Sequence, residues 1–236
     1  FWYSSANKLY ENSGADSRYS LHFMYADRNE ILSNDYRRNS VGIFLMFSQG
    51  STLKRNFVAD STGPFGIGIG MKESSDILVE ENQILYNARG FYLDSSPYQP
   101  GTLNTFRGNE INFNTTAFLL HGTLLPSLFE SNVFKGNIED VANDTPESKL
   151  EINTWRSNYW DNYEGFDRND DGYGDIPHEQ WMYADRIWSY LPAAKFFYAS
   201  PVLDFMNFLW RLMPFSEPVL LARDARPQIR ERGTEK

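Results

Sequence analysis

A six-residue unit, Asn-x-apolar-x-x-Asn, recurs along the N-terminal half and constrains the fold more than any other feature of the sequence. Five copies keep both asparagines, and a further copy beginning at Asn56 has Ser61 in place of the second. The first asparagine falls at positions 7, 29, 56, 82, 109 and 132, so successive copies lie 22, 27, 26, 27 and 23 residues apart. A period in this range is typical of a repeat protein built from stacked coils.

The residues between the asparagine units decide which repeat architecture the chain adopts. Each unit is followed by a short run in which branched or aromatic residues alternate with other residues. This two-residue period predicts β-strands, and no ten-residue stretch before position 150 keeps a helical period. Leucine-rich, tetratricopeptide and ankyrin repeats, which need a helical segment in each unit, are therefore excluded. The sequence predicts an all-β fold, a right-handed parallel β-helix with asparagines stacked in its turns.

Composition excludes several functional classes. The net charge is −9, and the 22 Lys and Arg residues are scattered, which argues against a nucleic-acid partner. The chain has no Cys, so a disulfide framework and a thiolate metal site are excluded. No apolar run is long enough to cross a bilayer, and we predict that the chain is not membrane-spanning. It opens at Phe1 without Met or a signal sequence, so we expect a solenoid truncated at its N-terminus.

The asparagine period stops near Asn143, where the composition becomes more polar. We therefore expect β-helix coils over residues 1–145 and an irregular C-terminal cap over 146–236, with an Asp-rich loop, one short helix and a partner-docking tail. The turns at 61–64 and 95–101 are longer than the others and are expected on one side of the solenoid. Lengthened turns on one side indicate either a binding face or tolerated insertions.

The Asp-rich loop is the sharpest local motif of the cap. Its oxygen-bearing residues follow the spacing of ligands 1, 3, 5, 7 and 9 in a calcium loop: Asp167, Asn169, Asp171, Tyr173 and Asp175. The pattern departs at position 12, where His178 replaces the bidentate Glu. Two interpretations stay open, namely a weak calcium loop and a surface loop of Asx turns that needs no ion.

One helix is predicted near the C-terminus, with Ser200 as its cap and Pro201 at its first position. Its apolar stripe ends before Pro214, and the segment is too short and too polar to span a bilayer. The stripe either packs on the open end of the solenoid or docks on a membrane-protein partner. In the second interpretation the docking residues are Phe205, Phe208, Leu209, Leu212 and Phe215.

Motifs in the C-terminal part resemble those of the NosD family. The runs that carry the resemblance are Asn158–Asp161, the Asp-rich loop, Lys195–Phe197, Ser200–Pro201, Asn207–Leu212 and Pro214–Pro218. The resemblance covers essentially the whole chain and is more specific between 155 and 227 than in the coils. The β-helix repeats alone are shared with pectate lyases, epimerases and other carbohydrate-active proteins.

The resemblance implies a periplasmic accessory protein that handles copper for maturation of the copper centres of nitrous-oxide reductase. The implied partners are the membrane and ATPase subunits of an ABC-type transporter, a copper chaperone and the reductase itself. The resemblance implies no catalytic activity. No glycine-rich phosphate loop occurs in the sequence, so any ATP hydrolysis belongs to a partner.

Candidate copper ligands lie at the outward positions of the predicted strands. The alternating apolar pairs align as Leu21/Phe23, Ile43/Leu45, Ile67/Ile69, Phe91/Leu93 and Phe118/Leu120. Equivalent positions on neighbouring coils are then less than about 5 Å apart. Thioether and imidazole donors suit Cu(I) when thiolates are absent. The predicted transient Cu(I) ligands are His22, Met24, Met46, Met71 and His121, with space for a partner's backbone at Gly68 and Gly70.

Two rival functions remain. A carbohydrate-active β-helix enzyme would bind polysaccharide on aromatic side chains such as Phe91, Tyr92 and Tyr98. Hydrolysis needs two carboxylates at a fixed separation, and Asp94 is the one acid on the aligned outward positions. The second rival is a non-catalytic docking scaffold, which is compatible with every feature of the sequence. The copper-handling accessory protein is the function that the sequence favours.

Overall fold

The computed structural model describes residues 1–182, 200–212 and 218–230. Over these ranges the chain forms a parallel β-solenoid of about seven turns, called coils below. A complete coil contributes one strand to each of three sheets, and each strand pairs with the equivalent strand of the next coil. The parallel β-helix predicted from the sequence is confirmed.

The first sheet has nine strands, and its last two form an antiparallel pair at the C-terminal end of the solenoid. In spatial order they are β1 (Lys8–Tyr10), β4 (Glu30–Leu32), β7 (Thr52–Lys54), β10 (Leu78–Glu80), β13 (Asn104–Arg107), β16 (Ser127–Glu130), β19 (Thr154–Arg156), β22 (Val219–Asp224) and β21 (His178–Met182). Because β22 also pairs in parallel with β19, the C-terminal residues extend the ladder of the coils.

The other two sheets are parallel throughout. The seven strands of the second sheet are β2 (Ser13–Ala15), β5 (Asp35–Arg37), β8 (Phe57–Ala59), β11 (Gln83–Leu85), β14 (Glu110–Asn112), β17 (Val133–Lys135) and β20 (Tyr159–Trp160). The six strands of the third sheet are β3 (Tyr19–Met24), β6 (Val41–Met46), β9 (Ile67–Lys72), β12 (Arg89–Asp94), β15 (Thr116–His121) and β18 (Glu139–Asn143). The third sheet ends beside the predicted boundary at 145, whereas the other two continue beyond it, and the division into two parts stays a prediction.

The described residues contain two helical segments. A 3-10 helix spans Leu150–Ile152, and helix α1 spans Pro201–Leu212, as expected from the Ser200 and Pro201 signals. Helix α1 lies in the chain between β21 and β22, which pair with each other in antiparallel orientation. Within the described residues, no helix is long and apolar enough to cross a membrane.

Aromatic rings stack along the coil axis in the core. Phe106, Phe129 and Trp155 follow one another at centroid separations of 5.0 and 3.9 Å, and Phe134 lies 4.1 Å from Trp160. Stacking occurs because equivalent positions of successive coils are in register in a parallel sheet. Each ring therefore covers the apolar face of the one before it, and this burial stabilises the stack of coils.

An asparagine ladder runs along the corner between the first and second sheets. In six steps, the Nδ2 of one asparagine donates to the Oδ1 of the asparagine one coil further on, at 2.8–3.0 Å. Its members are Asn12, Asn34, Asn56, Asn82, Asn109, Asn132 and Asn158. The residue before each member has a positive φ, which turns the chain at the corner. The ladder satisfies buried polar groups that a sheet alone would leave unpaired.

The repeat alignment expected from the sequence is wrong at one step. Asn7 pairs with Asn29 across 22 residues, but Asn56 pairs with Asn34 rather than with Asn29. The two asparagines of a unit occupy two successive corners of one coil. A unit can therefore be aligned one corner out of place, because the local sequence around both corners looks the same.

The expected alignment of the third coil is also wrong. Ile43 pairs with Ile69 and Leu45 pairs with Met71, so the core pair of β9 is Ile69 and Met71. The segment 67–71 alternates glycine with apolar residues, and this pattern permits two registers that differ by two residues. The shift places Lys72 at the outward position beside Met46.

The two long turns lie at opposite ends of the strands of the third sheet, one before a strand and the other after a strand. Residues 61–66 precede β9, and residues 95–103 connect β12 to β13. The expectation that both lie on one side of the solenoid is therefore wrong. One turn lies at the N-terminal ends of these strands and the other at their C-terminal ends.

Candidate functional site

The outer face of the third sheet carries four of the five predicted copper ligands in two parallel rows. The first row contains Met24, Met46, Lys72, Asp94 and His121. The second row contains His22, Phe44, Gly70, Tyr92 and Leu119. The rows form because each strand pairs in register with the next, so equivalent side chains lie about 4.8 Å apart.

Three of the predicted ligands lie on two neighbouring strands at one end of these rows. His22 Nε2 lies 3.2 Å from Met46 Sδ, and Met24 is the residue paired directly with Met46. We call His22, Met24 and Met46 the thioether patch. Metal bonds to nitrogen and sulfur are roughly 2.0–2.3 Å long, so two donors of one ion lie roughly 3–4 Å apart. The separation of the His22 and Met46 donors fits this requirement.

Aromatic rings enclose His22. Tyr19 stacks on the imidazole at a centroid distance of 5.0 Å, and Phe44 meets it edge-on at 6.1 Å. Burial lowers the pKa of His22 below its usual value, so the imidazole is neutral at pH 7 and keeps a lone pair for a metal. The patch thus offers uncharged, polarisable donors, which is the donor set that Cu(I) prefers.

The glycines do not leave the open space expected beside the patch. A Cβ on Gly70 would lie 2.3 Å from the ring of Phe44, so Phe44 already covers this position. Gly68 lies against the core, where a Cβ would lie 3.1 Å from Ile84 Cγ2. The expectation of room for a partner's backbone at these two positions is therefore wrong, because the register of β9 differs from the expected one.

The other two predicted copper ligands lie apart from the patch. Met71 is fully buried, between Leu45 and Leu93 in the paired strands. His121 lies three coils beyond Met46, or about 14 Å along the row. Its Nδ1 lies 2.7 Å from Asp144 Oδ1. The structure thus brings together His22, Met24 and Met46 and separates Met71 and His121 from them.

Lys72 and Asp94 form an ion pair next to the patch in the same row. Lys72 Nζ lies 2.7 Å from Asp94 Oδ2, and the Ser95 hydroxyl donates to Asp94 Oδ1 at 3.2 Å. The hydrogen bond to Asp94 raises the pKa of Lys72 above its usual value, so this side chain is a cation at neutral pH. The sequence reasoning missed Lys72 because the expected alignment of β9 placed Gly70 beside Met46.

One of the three aromatic residues proposed to bind polysaccharide is not accessible on the surface. Phe91 is fully buried in the core, whereas Tyr92 is half-buried beside His121 and Tyr98 is exposed in the 95–103 turn. Asp94 is engaged by Lys72 and Ser95. The structure therefore favours neither an aromatic platform nor a free catalytic carboxyl group on this face.

The Asp-rich loop is held by its own backbone. Asp167 accepts hydrogen bonds from the N–H groups of Asp171 and Gly172, and Asp175 accepts one from Arg168. Asp171 also binds the guanidinium of Arg226 at 2.9 Å. No group of three or more His, Asp or Glu suited to a metal ion occurs in residues 1–182, 200–212 and 218–230. The calcium prediction for Asp167, Asn169, Asp171, Tyr173 and Asp175 therefore has no support from this geometry.

The predicted docking residues of helix α1 are exposed where the structure describes them. Phe205, Phe208, Leu209 and Leu212 expose 58, 55, 43 and 62% of their surface. Their spacing places them on one face of the helix. Phe215 lies outside the described residues. Four large apolar side chains on one helix are more than scattered surface hydrophobics, and they mark a candidate contact surface.

The comparisons with known proteins include a family model whose description names copper. The family model described as periplasmic copper-binding protein (NosD) matches residues 1–165. A protein of Stutzerimonas stutzeri, "Probable ABC transporter binding protein NosD", is 28% identical over 177 residues, which cover 73% of this chain and 36% of that protein. A protein of the same name from Pseudomonas aeruginosa is 29% identical over 128 residues, covering 54% of this chain and 29% of that protein.

This chain spans about a third of the length of these curated relatives. Both relatives are named as binding proteins rather than as enzymes. The family match covers more than half of the chain and includes every strand from β1 to β20. It also includes the whole thioether patch. On this evidence the chain belongs to the NosD family of periplasmic copper-binding proteins.

Proposed function

We propose that this chain is a periplasmic copper-handling protein that holds Cu(I) at His22, Met24 and Met46. The observation that carries the proposal is the 3.2 Å approach of His22 Nε2 to Met46 Sδ on the outer face of the third sheet. The description of the family as copper-binding supports the choice of metal. With no Cys in the chain, thioether and imidazole are the soft donors available for Cu(I).

The patch suits transient binding rather than permanent storage. Its three donors are half-buried on a surface rather than enclosed in a cavity. A neutral three-donor site leaves a position open for a ligand from another protein, so copper can pass by ligand exchange. In this proposal a copper chaperone supplies the ion, and the copper centres of nitrous-oxide reductase receive it.

Helix α1 is the proposed contact with an ABC-type transporter. The relatives are named ABC transporter binding proteins, which supports this choice of partner. Phe205, Phe208 and Leu212 present an exposed apolar face that would bury on a membrane subunit. The energy for release would come from the transporter's ATPase subunit.

An anaerobic Cu(I) competition titration tests the proposed site. The chain is titrated against a chromophoric Cu(I) chelator, alongside a Met24→Ala/Met46→Ala variant. We expect one Cu(I) per chain and a loss of affinity of at least about tenfold in the variant, since two of three donors are gone. Met71→Leu and His121→Ala serve as matched controls, because Met71 is buried in the core and His121 lies three coils from Met46.

Equal Cu(I) binding by the chain and the double variant would reject this site. No Cu(I) binding by either protein would favour the non-catalytic docking scaffold. Release of reducing sugar from polysaccharide by the purified chain would favour the carbohydrate-active enzyme instead. Each alternative thus has its own readout.

A further inference from the structure

The thioether patch is bordered by a fixed positive charge. Lys72 pairs in register with Met46 on the neighbouring strand, so the two side chains leave the same outer face about 4.8 Å apart. On its other side Lys72 meets Asp94, one coil further on, through the 2.7 Å ion pair. The order along the row is therefore soft donor, cation, carboxyl group.

The carboxyl group of Asp94 is unavailable to a metal in this arrangement. One oxygen binds the ammonium of Lys72 and the other accepts the hydroxyl of Ser95. Its side chain exposes only 14% of its surface, so the ion pair is partly shielded from solvent. Asp94 would be the nearest hard oxygen donor to the patch along this row, and Lys72 stands between them.

We propose that Lys72 determines the metal selectivity of the thioether patch by excluding divalent ions. This inference rests on the proposed copper function. A fixed cation repels a divalent ion twice as strongly as a monovalent ion at the same place. Hard and borderline divalent ions also gain more from a carboxylate than Cu(I) does, and Lys72 keeps Asp94 occupied. Both effects favour Cu(I) over Zn(II), Co(II) and Cu(II).

Charge complementarity among the donors agrees with this role. The patch itself contains no carboxyl group, since its side chains are one imidazole and two thioethers. A divalent ion would thus bring two positive charges to a site with no compensating anion and with an ammonium beside it. Cu(I) brings one charge and gains more from thioether sulfur.

The test compares Cu(I) and Co(II) affinities of the chain with those of Lys72→Met, Lys72→Arg and the double variant Lys72→Met/Asp94→Asn. Cu(I) is measured by anaerobic chelator competition, and Co(II) by its visible absorption and by calorimetry. We expect Lys72→Met to bind Co(II) at least about tenfold more tightly than the parent chain, while its Cu(I) affinity changes less. Lys72→Arg keeps the charge and should keep the selectivity. The double variant should lose most of the Co(II) gain, because the freed carboxylate is gone.

Far-UV circular dichroism and thermal midpoints establish that each variant retains the fold. If Lys72→Met leaves Co(II) affinity unchanged while Cu(I) still binds at Met24 and Met46, the selectivity role is wrong and the copper function stands. If the parent chain binds no Cu(I), or binds it equally without Met24 and Met46, the proposed function fails and the inference falls with it. The two failures are therefore told apart by the Cu(I) titration of the parent chain.

Discussion

The asparagine ladder ends on a carboxyl group, because Asn158 Nδ2 donates to Asp224 Oδ2 at 2.9 Å. Asp224 belongs to β22, which is 66 residues further along the chain, and it is fully buried. It occupies the position that the next asparagine of the ladder would take. A carboxyl group can accept several hydrogen bonds at once, as Asp224 does at this end of the ladder.

Replacing Asp224 should destabilise the C-terminal end of the solenoid. Its two oxygens accept hydrogen bonds from Ser157 N, Asn158 N and Nδ2, Trp160 Nε1 and Arg226 N. Asp224→Ala removes the acceptor of these donors, of which those of Asn158 and Trp160 are buried, and should lower the free energy of unfolding by about 2–4 kcal/mol. Urea denaturation followed by Trp fluorescence measures the change. Arg223→Ala on the same strand is the control, and an equal effect of both substitutions would contradict the prediction.

The interior of the ladder should be as sensitive as its end. Asn82 accepts from Asn56 and donates to Asn109, and it is fully buried. Asn82→Ala should cost about 2 kcal/mol or more, since both neighbours lose a partner. The neighbouring Gln83 is exposed, so Gln83→Ala should change stability by less than about 0.5 kcal/mol. Comparable urea midpoints for the two variants would show that the ladder contributes little.

Two buried groups near the cap should give opposite pH dependences. Asp140 on β18 accepts hydrogen bonds from Asn137 and Gln180, and burial raises its pKa to about 6. The stability that it contributes is present below its unfolded value of 3.8 and is lost as pH rises through about 6. His178, stacked on Trp160, has its pKa lowered by burial to about 4. Its contribution is present above its unfolded value of 6.5 and is lost as pH falls through about 4.

Between pH 4 and 6 these two effects largely cancel in the parent chain. Asp140→Asn should therefore lose stability more steeply than the parent as pH falls from 6.5 to 4.5. His178→Gln should instead gain stability over the same range. A shift of about two pKa units corresponds to about 3 kcal/mol, so thermal midpoints at four pH values resolve the slopes. Identical slopes for all three proteins would rule out titration at these positions.

The exposed face of helix α1 should be required for transporter binding and not for the fold. Phe205→Ser/Phe208→Ser should reduce co-purification with the membrane subunit of the transporter by at least about tenfold, since two buried aromatic contacts are removed. Phe65→Ser is the matched control, because Phe65 is 76% exposed in the 61–66 turn, far along the chain from the helix. Unchanged co-purification of the helix variant would place the contact elsewhere. Thermal midpoints should be the same for both variants.

Part of the candidate site followed from the sequence. The period-two pattern around Leu21/Phe23 and Ile43/Leu45 was aligned correctly, so His22 and Met46 were expected on one outward face, where they are in contact. Met71 was placed wrongly and Lys72 was missed, because the glycines of β9 remove the side chains that would distinguish one register from another. An alternating pattern determines the register of a strand only where the residues of its buried face can be told from those of its outer face.

The sequence by itself determined that this chain is a stack of parallel strands with asparagine corners, because both the repeat period and the two-residue alternation are local patterns. Only the tertiary structure decided which corner of one coil meets which corner of the next, as the pairing of Asn34 with Asn56 shows. It also decided that Lys72 stands beside Met46 and that Asp224 closes the ladder from 66 residues away. The physical reason is that hydrogen bonds between coils join residues more than 20 positions apart, and their register is chosen by the packing of the whole core rather than by any short segment.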